Sequence, residues 1–148
     1  MDAKVRTTID VAVFTTTLFV VVLNANGGIR ICRDLKVSVN PHLHVKQYSM
    51  PMCNDMFQKL AGGRRFTKLD LANAYLQLEM EDESRGDLVY TTHKWLFRVN
   101  RLAFGLACAP TVFQFVIKQL LAPVQKTHSY LDNIVVSEST VDKHLDNL

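Results

Sequence analysis

Two short apolar arms, Ser129 to Leu131 and Ile134 to Val136, flank the polar step Asp132-Asn133. Aspartate and asparagine tolerate left-handed backbone geometry, so the pattern predicts a tight hairpin with an aspartate at its tip. A second aspartate, Asp70, ends the apolar run that begins at Phe66. Either aspartate alone reads as an ordinary strand-end or turn residue. Together they constrain the fold, because two acids this far apart in sequence share a site only if their strands are neighbours in one sheet.

The remaining pattern fits such a sheet. An apolar run from Val11 to Leu23 is rich in Val, Phe and Thr and suits one or two buried strands. Asn26-Gly27-Gly28 is a hairpin signal, and the next strand is expected over Ile29 to Leu35. Pro51 can occupy the first turn of a helix running to about Leu60, with Met52, Met56, Phe57 and Leu60 on one apolar face and Gly62 and Gly63 as its stop. Leu76, Leu78 and Met80 alternate as a strand, and Val89 to Leu102 reads as a hairpin turning near His93 and Lys94. After Pro110 a helix is expected with Val112, Phe113, Val116, Ile117, Leu120 and Leu121 inward, Gln114 and Lys118 facing away, and Pro123 as its end. Ser139 or Thr140 would cap a last helix. These elements predict an α+β domain, antiparallel strands with helices on one face.

A chain of 148 residues with 48% hydrophobic and 21% charged residues can bury a core and is not disordered by composition. A net charge of +3 allows a polyanionic partner without requiring one. Cys32, Cys53 and Cys108 are scattered, with no zinc-ligand spacing, and read as free thiols of a reducing compartment. His42 and His44 lack companions for a metal site. The Val11–Leu23 run is too short for a membrane span and is broken by Thr15, Thr16 and Thr17. A secreted protein using it as a leader is therefore disfavoured against an intracellular one, cytoplasmic or nuclear.

Paired carboxylates suit nucleotidyl transfer, which needs divalent cations against the charge on the attacking and leaving oxygens. Four segments sharpen that reading: Leu60 to Tyr75 (LAGGRRFTKLDLANAY), Asn100 to Gln114 (NRLAFGLACAPTVFQ), Tyr130 to Val136 (YLDNIVV) and Gly27 to Pro41 (GGIRICRDLKVSVNP). In order and spacing they resemble motifs A, B and C, and the preceding fingers segment, of reverse transcriptases of gypsy-type (Ty3-like) long-terminal-repeat retrotransposons. The resemblance implies a right-hand polymerase fold. About residues 20–60 are then fingers-like, 61–148 mostly palm, and 1–20 a divergent N-terminal segment, with the fold truncated after the catalytic hairpin. It also implies an RNA or DNA template-primer, a deoxynucleoside triphosphate, and Mg²⁺ or Mn²⁺ held by Asp70 and Asp132. By the same resemblance Leu71 lends a backbone carbonyl, Tyr75 gates the incoming sugar, Arg30 stacks over the base, and Phe104 and Gly105 form a turn against the nucleotide. Arg64, Arg65 and Lys68 form a basic cluster suited to phosphates, and Gln114 matches a motif B helix position.

The sequence departs from that family in four ways. Asn133 replaces the second aspartate of motif C, removing one anionic oxygen from the expected cation site. Asn24 stands where a triphosphate-binding lysine is usual, and Ala103 and Trp95 stand where a proline and a hairpin glycine are usual. The chain stops at Leu148, so no thumb is expected to hold a primer, and an apolar face is expected to be exposed at Ile134, Val136, Leu145 and Leu148. These departures predict an impaired or inactive polymerase domain, restored only by repairing cation charge, triphosphate contact and primer positioning together. A non-catalytic nucleic-acid or protein binding remnant is the alternative.

Overall fold

The computed structural model describes residues 4–5, 8–9, 19–23, 27–44, 48–85 and 88–148. Strands β1 (Lys4–Val5), β2 (Thr8–Ile9), β3 (Phe19–Leu23), β4 (Ile29–Arg33) and β5 (Leu43–His44) lead into α1 (Cys53–Leu60). Then come β6 (Arg65–Asp70), β7 (Glu79–Met80), the short α2 (Asp82–Arg85), β8 (Val89–Thr91) and β9 (Leu96–Arg98). The chain closes with α3 (Ala109–Leu120), β10 (Thr127–Tyr130), β11 (Asn133–Glu138) and α4 (Val141–Asp146). It forms two compact units, one of residues Met1–Lys46 and Tyr75–Ala109, the other of Gln47–Ala74 and Pro110–Leu148. The mixture of helices and mainly antiparallel sheets, with β1–β7 a short parallel pair, is the expected α+β fold. No helix among the described residues is long and apolar enough to cross a membrane.

The second unit carries a three-stranded antiparallel sheet in the order β10-β11-β6. Val-, Ile- and Thr-rich segments suit such a surface, and in β11 Ile134 and Val136 both turn inward and are buried. That corrects the expectation of an apolar face open at these two residues; Leu145 and Leu148 are exposed as expected. Helix α4 packs against β11 and β6, where the Thr67 hydroxyl and His144 Nε2 lie 2.7 Å apart. Thr140 stands at its N-cap position in extended geometry but makes no side-chain cap bond. Helix α1 begins at Cys53, two residues after Pro51, so Pro51 stands outside its first turn, and Gly62 (φ 83°) follows its end. Its expected apolar face is open to solvent at Met52 and Phe57.

Among the described residues, the first unit contains two hairpins. In β3–β4, Leu23 pairs with Ile29 and Gly27 has φ 76°, the geometry the Asn-Gly-Gly step anticipates. In β8–β9, Thr91 pairs with Leu96, and the Thr92 side chain closes the turn by donating to the Trp95 carbonyl and accepting from the Trp95 amide. Trp95 needs no positive φ there, so the missing glycine does not distort this turn. The alternation of Leu76, Leu78 and Met80 does not make one strand. Ala74–Gln77 is a 3-10 turn, closed by Leu78 N–H to the Tyr75 carbonyl, and only Glu79–Met80 is extended. Three alternating residues fit either geometry, and burial of Leu78 and Met80 is satisfied by the turn. Residues 11–18 and 24–26 of the N-terminal expectations, Asn24 included, lie outside the described residues.

Candidate functional site

Strand β6 ends on Asp70, and its partner β11 begins on Asn133, directly opposite Asp70 in the antiparallel register. The next residue along, Leu71, donates its N–H to the Asp132 carbonyl at 2.8 Å. Two segments that diverge in sequence are thus fastened end to end, with an aspartate on each. The hairpin turn itself differs from expectation. Tyr130 pairs with Asn133, so Leu131-Asp132 forms the two-residue turn and Asn133 belongs to the strand. Leu131, not a polar residue, takes the left-handed geometry (φ 53°), at a cost of about 1–3 kcal/mol that surrounding contacts must offset.

One such contact comes from α3. Gln114 is only 4% exposed, which corrects the expectation that it faces away from the core. Its Nε2 donates to the Ser129 carbonyl at 3.0 Å and to Ser129 Oγ at 3.2 Å. Its Oε1 accepts the Leu131 N–H at 2.7 Å. The amide expected to meet nucleic acid is engaged by the hairpin.

Asn133 donates its side-chain N–H to Asp132 Oδ1 at 3.1 Å, while its own Oδ1 is buried without a hydrogen-bond partner. A carboxylate only accepts, which fixes the amide nitrogen toward Asp132. The orphaned oxygen costs roughly 1–3 kcal/mol unless something meets it. Asp70, Asp132 and Asn133 therefore offer hard oxygen atoms of the kind Mg²⁺ or Mn²⁺ binds, with two charges rather than three. Among the described residues no group of three or more His, Cys, Asp or Glu side chains is placed to hold a metal. The donor set fits a divalent cation but is weaker in charge than a three-carboxylate site.

The basic cluster is less uniform than its spacing implies. Arg65 and Lys68 lie three apart on β6 and point to opposite faces, whereas Lys68 alternates onto the face of Asp70. Arg64 precedes the strand and its N–H donates to the Glu138 carbonyl. All three side chains are exposed. On β10, His128 has its pKa lowered by burial first, and then by the charges of Lys59 and Lys126.

In the first unit, the rings of Tyr75 and Phe104 lie 5.1 Å apart, tilted by 45°. Phe104 is 48% exposed and follows the fully buried Ala103, so the turn accommodates Ala103 in place of a proline. Gly105 has φ 93°, which only glycine adopts easily. Asn40, not singled out in the sequence, clamps this turn: its Nδ2 donates to the Gly105 carbonyl at 2.9 Å and its Oδ1 accepts the Ala107 N–H at 2.9 Å. Its position after an apolar Val39 gave no signal of that bridge. Arg30 pairs with Val22 through β4; its side chain lies outside the described residues.

Aspartates on adjoining ends of an antiparallel sheet, backed by a helix that grips the hairpin carrying Asp132, form the palm arrangement of nucleic-acid polymerases. The chain belongs to the reverse transcriptase (RNA-dependent DNA polymerase) family, whose model matches residues 29–148. It is 31% identical over 104 residues to the retrovirus-related Pol polyprotein from transposon 297 of Drosophila melanogaster, covering 69% of this chain and 10% of that one. It is 27% identical over 121 residues to the transposon Tf2-7 polyprotein of Schizosaccharomyces pombe, covering 80% of this chain and 9% of the other. An uncharacterized protein of Caenorhabditis elegans, K02A2.6, is 31% identical over 134 residues, 90% of this chain and 10% of its own length. The chain thus spans about a tenth of these relatives. Among solved structures, the native prototype foamy virus protease-reverse transcriptase superposes with a TM-score of 0.79 at 21% identity, over 95% of this chain and 19% of that one. The foamy viral enzyme in complex with RNA/DNA hybrid gives 0.77, over 88% and 18%. At this identity the structural likeness establishes the fold, a reverse transcriptase fingers and palm. The domain is of the retrotransposon Pol type, in keeping with its gypsy-type motifs.

Proposed function

We propose that this domain binds a template-primer and a deoxynucleoside triphosphate in the manner of an RNA-directed DNA polymerase, with nucleotidyl transfer impaired or absent because of Asn133. The observation that carries this reading is the pairing of Asn133 with Asp70 and of Leu71 N–H with the Asp132 carbonyl, which joins the two aspartate-bearing ends. Asp70 and Asp132 would hold Mg²⁺ or Mn²⁺, with the Leu71 carbonyl as a neighbour. A divalent cation, when bound, offsets the negative charge that develops on the transferring phosphoryl group. Tyr75, Phe104 and Gly105 would lie against the incoming nucleotide, and Arg30 would stack over its base. Arg64, Arg65 and Lys68 would meet backbone phosphates, Lys68 on the face it shares with Asp70.

Asn133 weakens the cation site twice: it contributes no charge, and its amide donates to the Asp132 oxygen that a cation would use. Template-primer binding without turnover follows. We assign this binding to the cytoplasm or nucleus, as expected for a retrotransposon-type domain. Primer extension and filter binding on the same preparation test the reading. Binding should weaken steeply with salt and be insensitive to Asp70→Asn, while extension in Mg²⁺ or Mn²⁺ stays at background. Extension that Asp70→Asn abolishes contradicts the impairment; failure to bind template-primer at low salt contradicts the nucleic-acid reading.

A further inference from the structure

We propose that Gln114 is a positioning residue for the cation site, acting on Asp132 through the backbone that precedes it. The inference rests on the reading of Asp70 and Asp132 as one site, but it is carried by an arrangement that this reading does not use. A single buried side chain on α3 reaches across to the hairpin and bonds both Ser129 and Leu131. Its two N–H groups are directed at the Ser129 carbonyl and hydroxyl, and its carbonyl oxygen takes the Leu131 N–H, the shortest of the three bonds at 2.7 Å.

Leu131 is the residue held in left-handed geometry, and Asp132 follows it in a two-residue turn. The direction in which Asp132 leaves the turn therefore depends on a backbone conformation that leucine disfavours. Gln114 fixes that conformation from one side. From the other, Leu71 N–H holds the Asp132 carbonyl. With the Leu131 N–H and its own carbonyl both held, Asp132 presents its carboxylate from a fixed origin. The arrangement uses both functions of a primary amide: a hydrocarbon of the same size offers neither, and a carboxylate accepts from Leu131 but cannot donate to Ser129.

The test uses the 148-residue chain and two substitutions, Gln114→Leu and Gln114→Glu. Two quantities are read on folded protein: hydrogen exchange of the Leu131 amide, and Mn²⁺ affinity from electron paramagnetic resonance. In Gln114→Leu the Leu131 amide should exchange at least about tenfold faster and Mn²⁺ affinity should fall about tenfold, the range typical for removing a support of metal ligands. In Gln114→Glu the Leu131 amide should stay protected within about threefold, while affinity falls by an intermediate factor because the bond to the Ser129 carbonyl is lost. If Gln114→Leu does not fold, Gln114→Glu carries the test alone, since it keeps the shape and one bond. A residue that only stabilises the fold lowers the melting temperature without changing Mn²⁺ affinity of the folded fraction. Affinity unchanged in the folded variants, or a Leu131 amide as slow in Gln114→Leu as in the unmodified chain, overturns the positioning role. Absence of Mn²⁺ binding by the unmodified chain overturns the two-carboxylate reading itself, and the positioning role with it.

Discussion

Asn133 condenses the chemistry of this domain into one side chain. It stands opposite Asp70, donates to Asp132, and leaves its own oxygen buried and unpartnered. Replacing it with aspartate removes the donated hydrogen bond and sets two carboxylates side by side. Without a cation, Asn133→Asp should therefore lower the melting temperature, because like charges in a partly buried site repel. With Mn²⁺ the same variant should be the more strongly stabilised, since a third anionic oxygen raises affinity by about tenfold or more. Thermal melts with and without Mn²⁺ check both signs, and an equal Mn²⁺ response in the two proteins would contradict the role given to Asn133. The importance of this position was legible in the sequence through the four-residue word around Asp132. The partner of its amide was not, because the turn falls on Leu131-Asp132 and not on Asp132-Asn133. Polarity marks Asp132 and Asn133 as turn residues, whereas a strained leucine held by long-range bonds takes that place.

At the scale of elements, local patterns were readable where one face of a strand or helix repeats. The β8–β9 hairpin, β6 and the span of α3 follow from apolar spacing alone. Gln114 departs from that pattern: helical spacing turns a polar residue to solvent, but a buried polar group is tolerated when its bonds are made. Strand β10 carries a related consequence of burial. His128 sits there with a pKa below its ordinary value near 6.5, because burial and then Lys59 and Lys126 disfavour its charged form. The unfolded chain then binds this proton more readily than the folded one, so stability rises with pH through the window. The His128 contribution is complete above the unfolded value near 6.5 and is lost as pH falls toward the depressed folded value. Urea unfolding between pH 7 and pH 5 should show this loss, and His128→Gln should flatten it. An identical pH dependence in the variant would contradict the assignment.

For the whole molecule, two compact units divide the candidate residues, with Asp70, Asp132, Asn133 and Gln114 in one and Tyr75, Phe104 and Gly105 in the other. The family was legible because four motif segments occur in order; the internal wiring of each unit was not, since it depends on contacts between distant residues such as Asn40 with Gly105. In the second unit, Asp70 and Asp132 are proposed to meet a single divalent cation. Paramagnetic broadening of backbone amide resonances during a Mn²⁺ titration tests it most directly. Substoichiometric Mn²⁺ should broaden Leu71, Asp132 and Asn133 first, and Asp70→Asn should abolish that selectivity. Broadening centred instead on the exposed acids of α2 or α4, or unchanged by Asp70→Asn, would contradict the account.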